Sequence, residues 1–581
     1  MGAAPSDPPI EMRFKAVFKQ ISMADCGPGE GPTLFRRATV GASVPWLLLI
    51  ALFFVYGGDA PPMVNEAHYL AKAKHFWDPD WCGQDLFLAS GKAHTTFYAL
   101  FGWPTRWFTL ESTAWVGRLV GWGMIAFGLL RLTARMVPGP YVSLLVATVW
   151  LAGIEYANLA GEWVIGGIEA KVPAYAFVLL GLAALADRRW DRVWIHFGLA
   201  SAFHVLVGGW SVAAAAVVWL VTESRRPDRQ AFFRRGLFLG GGLALFGLVP
   251  AMLLTGGATA EQSAAAARTY VYFRLPHHLL PTAFPGHWYL RHGALLAVTA
   301  LMTWSLWRSG GVRDAGKVAG PAASAETPAE PRPLADAWWR IGWFVAATVG
   351  FAVTGWCIGQ LEDRHPDLTA KLLRYYWFRL TDVTVPLLLG LVTAAVFQRI
   401  PSHRWLRGLA MACLLLAVSG VGWSVWDRSR VGVPPSAGHR LLGWHRQASP
   451  EAQQATFRDW LAVCRWIRVA TPEDEVFLTP RHQQSFKWYA GRAEVVNWKD
   501  VPQDAANLEE WRRRLRDVFP SRLGTVRVSI QYRTLQELAD RYGVRYLVVD
   551  RRVVGQELPL VRVYPRSPER NRTYAVYELP R

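Results

Sequence analysis

Residues 59–98 crowd together the side chains most able to do chemistry. Asp59, Glu66, Asp78, Asp80 and Asp85 are interleaved with His68, His75 and His94, and with Tyr69, Phe76, Trp77, Trp81, Phe87 and Phe97. Carboxylates beside aromatics at a bilayer face suit sugar chemistry next to a lipid. A carboxylate takes the proton of an acceptor hydroxyl, while aromatic rings settle at headgroup depth. The competing account is an interfacial belt whose acids only face water. Tyr69, Lys72, Ala73, Phe76 and Trp77 fall at helical spacing, which predicts a short amphipathic helix lying on the membrane surface.

A second group lies in GEWVIGGIEAKVPAY, residues 161–175. Charges near span ends are costly unless paired or facing water, which makes Glu162, Glu169 and Lys171 candidates. Either one helix presents both glutamates on one face, or Pro173 opens the helix and leaves all three in a loop that Gly166 and Gly167 permit. The cations are Arg268 and Arg274 in AAAARTYVYFRLPHHLLP, and Lys371, Arg374 and Arg379 in AKLLRYYWFRLTD. An arginine fork gives phosphate two hydrogen bonds; the alternative is anchoring to anionic lipid. His277, His278 and His94 could join nearby acids at a metal, but no further ligand spacing accompanies them.

These side chains need a membrane to position them. Of the 581 residues 52% are hydrophobic, in blocks of the ~20 residues that a bilayer core demands. The fold class is an α-helical polytopic membrane protein of about 11 spans, near 40–57, 113–135, 139–157, 163–186, 193–207, 208–222, 236–255, 288–307, 340–360, 381–398 and 406–426. Arg131, Arg135, Arg188, Arg189, Arg192, Arg225, Arg226, Arg229, Arg234, Arg235, Arg399, Arg404 and Arg407 mark cytoplasmic loops. The block 193–222 then crosses an even number of times, as a tight hairpin or re-entrant pair around Gly208 and Gly209. The external loop 58–112 and segments 256–287 and 361–380 face outward. The net charge of +19 collects in short loops, where orientation explains it, so nucleic acid is excluded as a partner.

Residues 1–39 read as a disordered cytoplasmic N-terminus before an uncleaved anchor, and 308–338 as a cytoplasmic linker rich in Ala, Pro and Gly. The transmembrane domain spans 40–426. Residues 427–581 alternate amphipathic helices with the short apolar strands EVFLTP, AEVVNW, RYLVVD and TYAVYEL, an extracytoplasmic α/β domain. It carries no Gly-rich phosphate loop or nucleophile elbow and reads as a lid or acceptor-recognition domain. The five cysteines have no paired spacing, so neither a zinc site nor a disulfide framework is expected; only Cys82 and Cys464 could meet outside the cytoplasm.

Together these features resemble the GT-C superfamily of membrane glycosyltransferases, which have many spans, a long first external loop with a surface helix and a catalytic carboxylate, and often an external C-terminal domain. The likeness rests on the acidic loop after the first span, on Asn65-Glu66 followed by Tyr69 where the family often has Asp-Glu, and on Asp85. It implies an enzyme of the bacterial cytoplasmic membrane and cell envelope that moves a sugar from a polyprenyl-phosphate donor to an acceptor hydroxyl. The implied base is Glu66, then Asp85 or Asp59. Arg374, Arg379, Arg274 and Lys171 would face the leaving phosphate, with His94, Glu162, Glu169, Arg268, His277 and His278 as further substrate-binding residues. No cofactor is certain, and a divalent metal ion is the one the resemblance allows. Asn65 stands where many members carry the catalytic Asp, which leaves the base open among the three acids, or lost. The alternatives are a transporter or flippase of a lipid-linked or anionic substrate, with the same charges lining a path, and a non-catalytic assembly protein.

Overall fold

The computed structural model describes residues 32–63, 65–224, 226–309, 333–400, 403–434, 448–519, 532–554 and 558–579. Residues 1–31 and the linker core 310–332 lie outside the described residues. Among the described residues six helices are long and apolar enough to cross a membrane: Leu110–Met136, Val205–Thr222, Arg235–Leu253, Leu334–Gly359, Thr381–Arg399 and Arg404–Val431. Three shorter apolar helices accompany them, Ser43–Gly57, Val142–Ala157 and Lys171–Ala186. Sequence TDVTVPLLLGLVTAAVFQR is apolar all round, and its helix is buried along nearly its whole length at the centre of the bundle. The outer helices instead expose large apolar side chains, among them Phe54, Phe127, Phe238, Phe246, Leu301, Val353 and Leu416. A continuous exposed apolar surface of this kind is matched to lipid, not water.

Two expected spans change shape. The stretch read as 163–186 becomes helical only at Lys171, with Pro173 in the first turn, because 158–170 is an extended loop. The block 193–222 forms two helices, Trp190–Phe203 and Val205–Thr222, broken at His204 in an extended conformation, not at the glycines. Gly208 serves a different need: a Cβ there would lie 2.1 Å from the Ser201 nitrogen. The helix Arg235–Leu253 packs backbone to backbone on Trp190–Phe203, since a Cβ at Gly198 would sit 2.1 Å from the Gly240 carbonyl oxygen. Small residues are what let helices approach this closely in a membrane. Gly198→Val is therefore expected to push the pair apart and cost ~1–3 kcal/mol, read as a lower melting temperature in detergent; an unchanged melt would show that the contact can open freely.

The first-loop helix exists, at Glu66–Trp77. Its Ala67, Leu70 and Ala73 are buried in the core of the helical bundle, and Ala71 packs into the core of the C-terminal unit. That unit holds a five-stranded sheet in the order β2-β1-β3-β5-β4, with β1 Val476–Leu478, β2 Ala493–Glu494, β3 Tyr546–Asp550, β4 Val561–Tyr564 and β5 Tyr574–Glu578. β1 pairs in parallel with β2 and β3, and β5 antiparallel with β3 and β4. Cys82 and Cys464 are both free and buried.

A buried charge cluster joins the unit to the first loop. The Lys487 ammonium lies 3.1 Å from Asp85, 2.6 Å from Glu494 and 2.6 Å from Asp500, and Asp500 also meets His68 at 3.0 Å. Three carboxylates facing one ammonium leave one of them better off protonated. Burial pushes the Glu494 carboxyl up to about 7 despite the pull of Lys487, with Asp500 and Asp85 adding to the rise; unfolded, it titrates near ~4.3. The folded chain thus holds a proton across that window which the unfolded chain does not, so this contribution is full below ~4.3 and is lost as pH rises through about 7. Asp500 has the opposite sign. Burial alone would raise it, but Lys487 and His68 hold it low, and its contribution is lost only in acid. The C-terminal unit is expected to melt at lower temperature near pH 8 than near pH 6, and Glu494→Gln to flatten the difference. A wild-type melt that rises over this interval would contradict the assignment.

Candidate active site

Two anchors shape the loop 158–170. At its start, the buried Asp382 accepts the backbone N–H groups of Leu159 at 2.7 Å and Ala160 at 2.8 Å, and His278 Nδ1 lies 2.5 Å from the Ala160 carbonyl oxygen. Near its end, Ile168 N–H donates to Glu66 Oε1 at 2.8 Å, and the Trp122 indole donates to the Gly166 carbonyl at 3.2 Å. Every backbone group held this way removes freedom from the loop, and the result is to fix Glu162 and Glu169.

Both glutamates line a cavity of about 560 Å³ enclosed by the first loop, the 158–170 loop, the segments 248–278 and 374–379, and the C-terminal unit. Lys171 Nζ stands between them, 2.8 Å from Glu169 Oε1 and 3.1 Å from Glu162 Oε1, and 4.2 Å above the Trp163 ring. Arg379 pairs with Glu162 Oε2 at 2.9 Å and donates to His204 Nε2 at 2.8 Å. Asn65 donates from its amide to Glu169 Oε2 at 2.7 Å. His94 faces His204 across 5.0 Å and Tyr69 across 5.4 Å. Burial, aided by Arg379, holds its ring down at about 4 and hence neutral. Arg274 lies over the Trp498 ring and donates to the Trp498 carbonyl at 2.8 Å. On one side the wall turns apolar through Leu248, Met252 and Leu254, and Met252 is 69% exposed on the outer face of the bundle.

Of the residues singled out in the sequence, the structure brings His94, Glu162, Glu169, Lys171, Arg274, His278, Arg374 and Arg379 to this one cavity. The three nominated bases are elsewhere. Glu66 is buried with four acceptor positions filled: Arg118 Nε at 2.7 Å and Ile168 N at 2.8 Å on Oε1, Arg118 Nη2 at 2.5 Å and Met63 N at 2.8 Å on Oε2. Asp85 caps the turn Leu86–Ala89 by accepting Leu88 N–H at 3.0 Å and is committed to Lys487. Asp59 is half exposed beside Arg428 at 3.4 Å. Arg268 pairs with Asp367 at 2.7 Å on the surface, and His277 is exposed, its ring tilted against that of His278. Asn65, His68, Tyr69 and Lys499 also line the cavity; only the aromatic and polar crowding of 65–69 hinted at the first three, and nothing local marks Lys499.

Among the described residues no group of three or more His, Cys, Asp or Glu could hold a metal ion. An ammonium already fills the space between the two cavity carboxylates. The residues present therefore do not fit a divalent ion.

A family model described as a domain of unknown function (DUF6798) matches residues 458–518, the part of the C-terminal unit that carries Lys487, Glu494, Lys499 and Asp500. No curated protein matches the chain. Among solved structures the chain is similar to the Archaeoglobus fulgidus oligosaccharyltransferase in complex with Zn and sulfate, with TM-score 0.42 and 12% identity over 88% of this chain and 68% of that one. It is also similar to AglB of the same organism in complex with an inhibitory peptide and a dolichol-phosphate, with TM-score 0.41 and 10% identity over 88% and 69%. A third is ArnT from Cupriavidus metallidurans in the apo state, with TM-score 0.41 and 14% identity over 93% and 98%.

Proposed function

We propose that this protein is a membrane glycosyltransferase that takes a sugar from a polyprenyl-phosphate donor and passes it to an acceptor hydroxyl, with Glu169 as the base. The observation that supports it is the composition of one cavity: two carboxylates, a surplus of cations and an apolar side leading to the lipid-facing surface. A prenyl chain enters past Leu248, Met252 and Leu254, its phosphate meets Arg274 and Arg374, and the sugar lies toward Glu169 and Glu162.

Glu169 takes this role over Glu66 by a count of lone pairs. A carboxylate has about four acceptor sites; Glu66 has all four filled, Glu169 has two filled, by Lys171 and Asn65. Glu169 removes the proton of the acceptor hydroxyl as the acceptor oxygen bonds to the anomeric carbon. The bond from that carbon to the phosphate oxygen breaks, its electron pair leaves with the lipid phosphate, and the proton stays on Glu169. Cations fixed beside the departing oxygens stabilise the charge that develops there.

The test is purified protein in proteoliposomes with a polyprenyl-phosphate-linked sugar labelled in the sugar. Release of free polyprenyl phosphate together with sugar transfer or hydrolysis is expected. Movement of intact labelled lipid across the bilayer with no cleavage would replace this reading with a flippase.

A further inference from the structure

Resting on that reading, we infer that Lys499, a residue of the C-terminal unit, is a ligand of the donor phosphate, so that the phosphate site is complete only with this unit docked. Lys499 lines the cavity, yet no carboxylate among the described residues lies within ion-pair distance of its ammonium. The two acids whose charge reaches it are committed elsewhere: Glu169 to Lys171 at 2.8 Å, and Asp500 to Lys487 at 2.6 Å. Arg274 and Arg374 line the same cavity and likewise form no ion pair with any described carboxylate. Among the described residues the lining holds five cations (Lys171, Arg274, Arg374, Arg379, Lys499) and two carboxylates (Glu162, Glu169), a surplus of three positive charges with the histidines neutral. Arg274 is buried and Lys499 and Arg374 are half-buried, so water screens this charge only in part and an anion is favoured there.

The backbone that carries Lys499 is fixed on both sides. The Trp498 carbonyl before it is held by Arg274 at 2.8 Å, and Asp500 after it by His68 at 3.0 Å and by Lys487. Its own N–H donates to Asn497 Oδ1 at 2.8 Å. Burial, with Arg274 as a like-charged neighbour, brings its ammonium down to about 8, while Glu169 and Asp500 pull the other way and Lys171 adds to the fall. A group in that condition gains from a phosphate oxygen beside it.

The experiment is calorimetry on the full chain in detergent, with farnesyl phosphate as probe and farnesol as its uncharged control. Lys499→Met is expected to weaken farnesyl phosphate ~10–100-fold, the range of one hydrogen bond to a charged group, to leave farnesol unchanged, and to be largely rescued by Lys499→Arg. Equal farnesyl phosphate affinity in wild type and a folded Lys499→Met would overturn the inference and leave the lipid-phosphate reading standing. Failure of the wild type to bind farnesyl phosphate would overturn both. A wild-type measurement covers the case of a misfolded variant. Near pH 8, binding is expected to take up a proton, seen as a dependence of the heat on the buffer's ionisation enthalpy, and heat independent of the buffer counts against Lys499.

Discussion

Glu169→Gln is expected to lower sugar transfer by ~10²–10⁴-fold, the usual contribution of a positioned base, with the melting temperature close to that of the wild type. The substitution keeps the shape of the side chain and one acceptor oxygen, and Lys171 retains Glu162 at 3.1 Å, so no cation is stranded. What is lost is a group able to hold the acceptor's proton. Glu162→Gln is expected to cost less, because Glu162 is engaged by Arg379 at 2.9 Å as well as by Lys171 and serves to orient them. The measurement is turnover from a saturating polyprenyl-phosphate sugar in proteoliposomes. Full turnover in Glu169→Gln would remove it as the base. A loss of the same size in donor affinity alone, with turnover per bound donor intact, would make it a binding residue instead.

Much of this site was legible where a charge interrupts an apolar stretch. Glu162, Glu169 and Lys171 stand out because carboxylates and an ammonium are rare among such neighbours, and Pro173 marked where the helix after them could start. The strands of the C-terminal unit were equally readable, since VFL, YLVVD and YAVYE are short apolar runs between turn residues; β4, VRVY, escaped because it is an exposed edge strand without that signal. What periodicity does not carry is which carboxylate meets which cation. Glu66 looked catalytic in a loop rich in acids, and only the approach of Arg118, from a helix 52 residues later, turns it into an anchor. An amphipathic pattern shows that one face of the Glu66–Trp77 helix is covered but not by what: here Ala67, Leu70 and Ala73 join the core of the bundle, and Ala71 that of the C-terminal unit.

Arg118→Met should be the most destabilising single change in the bundle, by ~3–5 kcal/mol, because it leaves the Glu66 carboxylate buried without its cation. Both side chains are wholly inaccessible to solvent, so water cannot replace the lost partner. The consequence reaches the cavity through one hydrogen bond. Glu66 Oε1 holds Ile168 N–H, next to Glu169, and a Glu66 that protonates or turns away releases that part of the loop. Turnover should therefore fall together with melting temperature, unlike the clean loss expected of Glu169→Gln. The double change Arg118→Met with Glu66→Leu removes both charges and should recover most of the melting temperature, yet not the turnover, since Ile168 and Met63 still lack an acceptor. If Glu66 were itself the base, Glu66→Gln would abolish transfer in a protein that melts like the wild type; the anchor role requires the two losses to travel together.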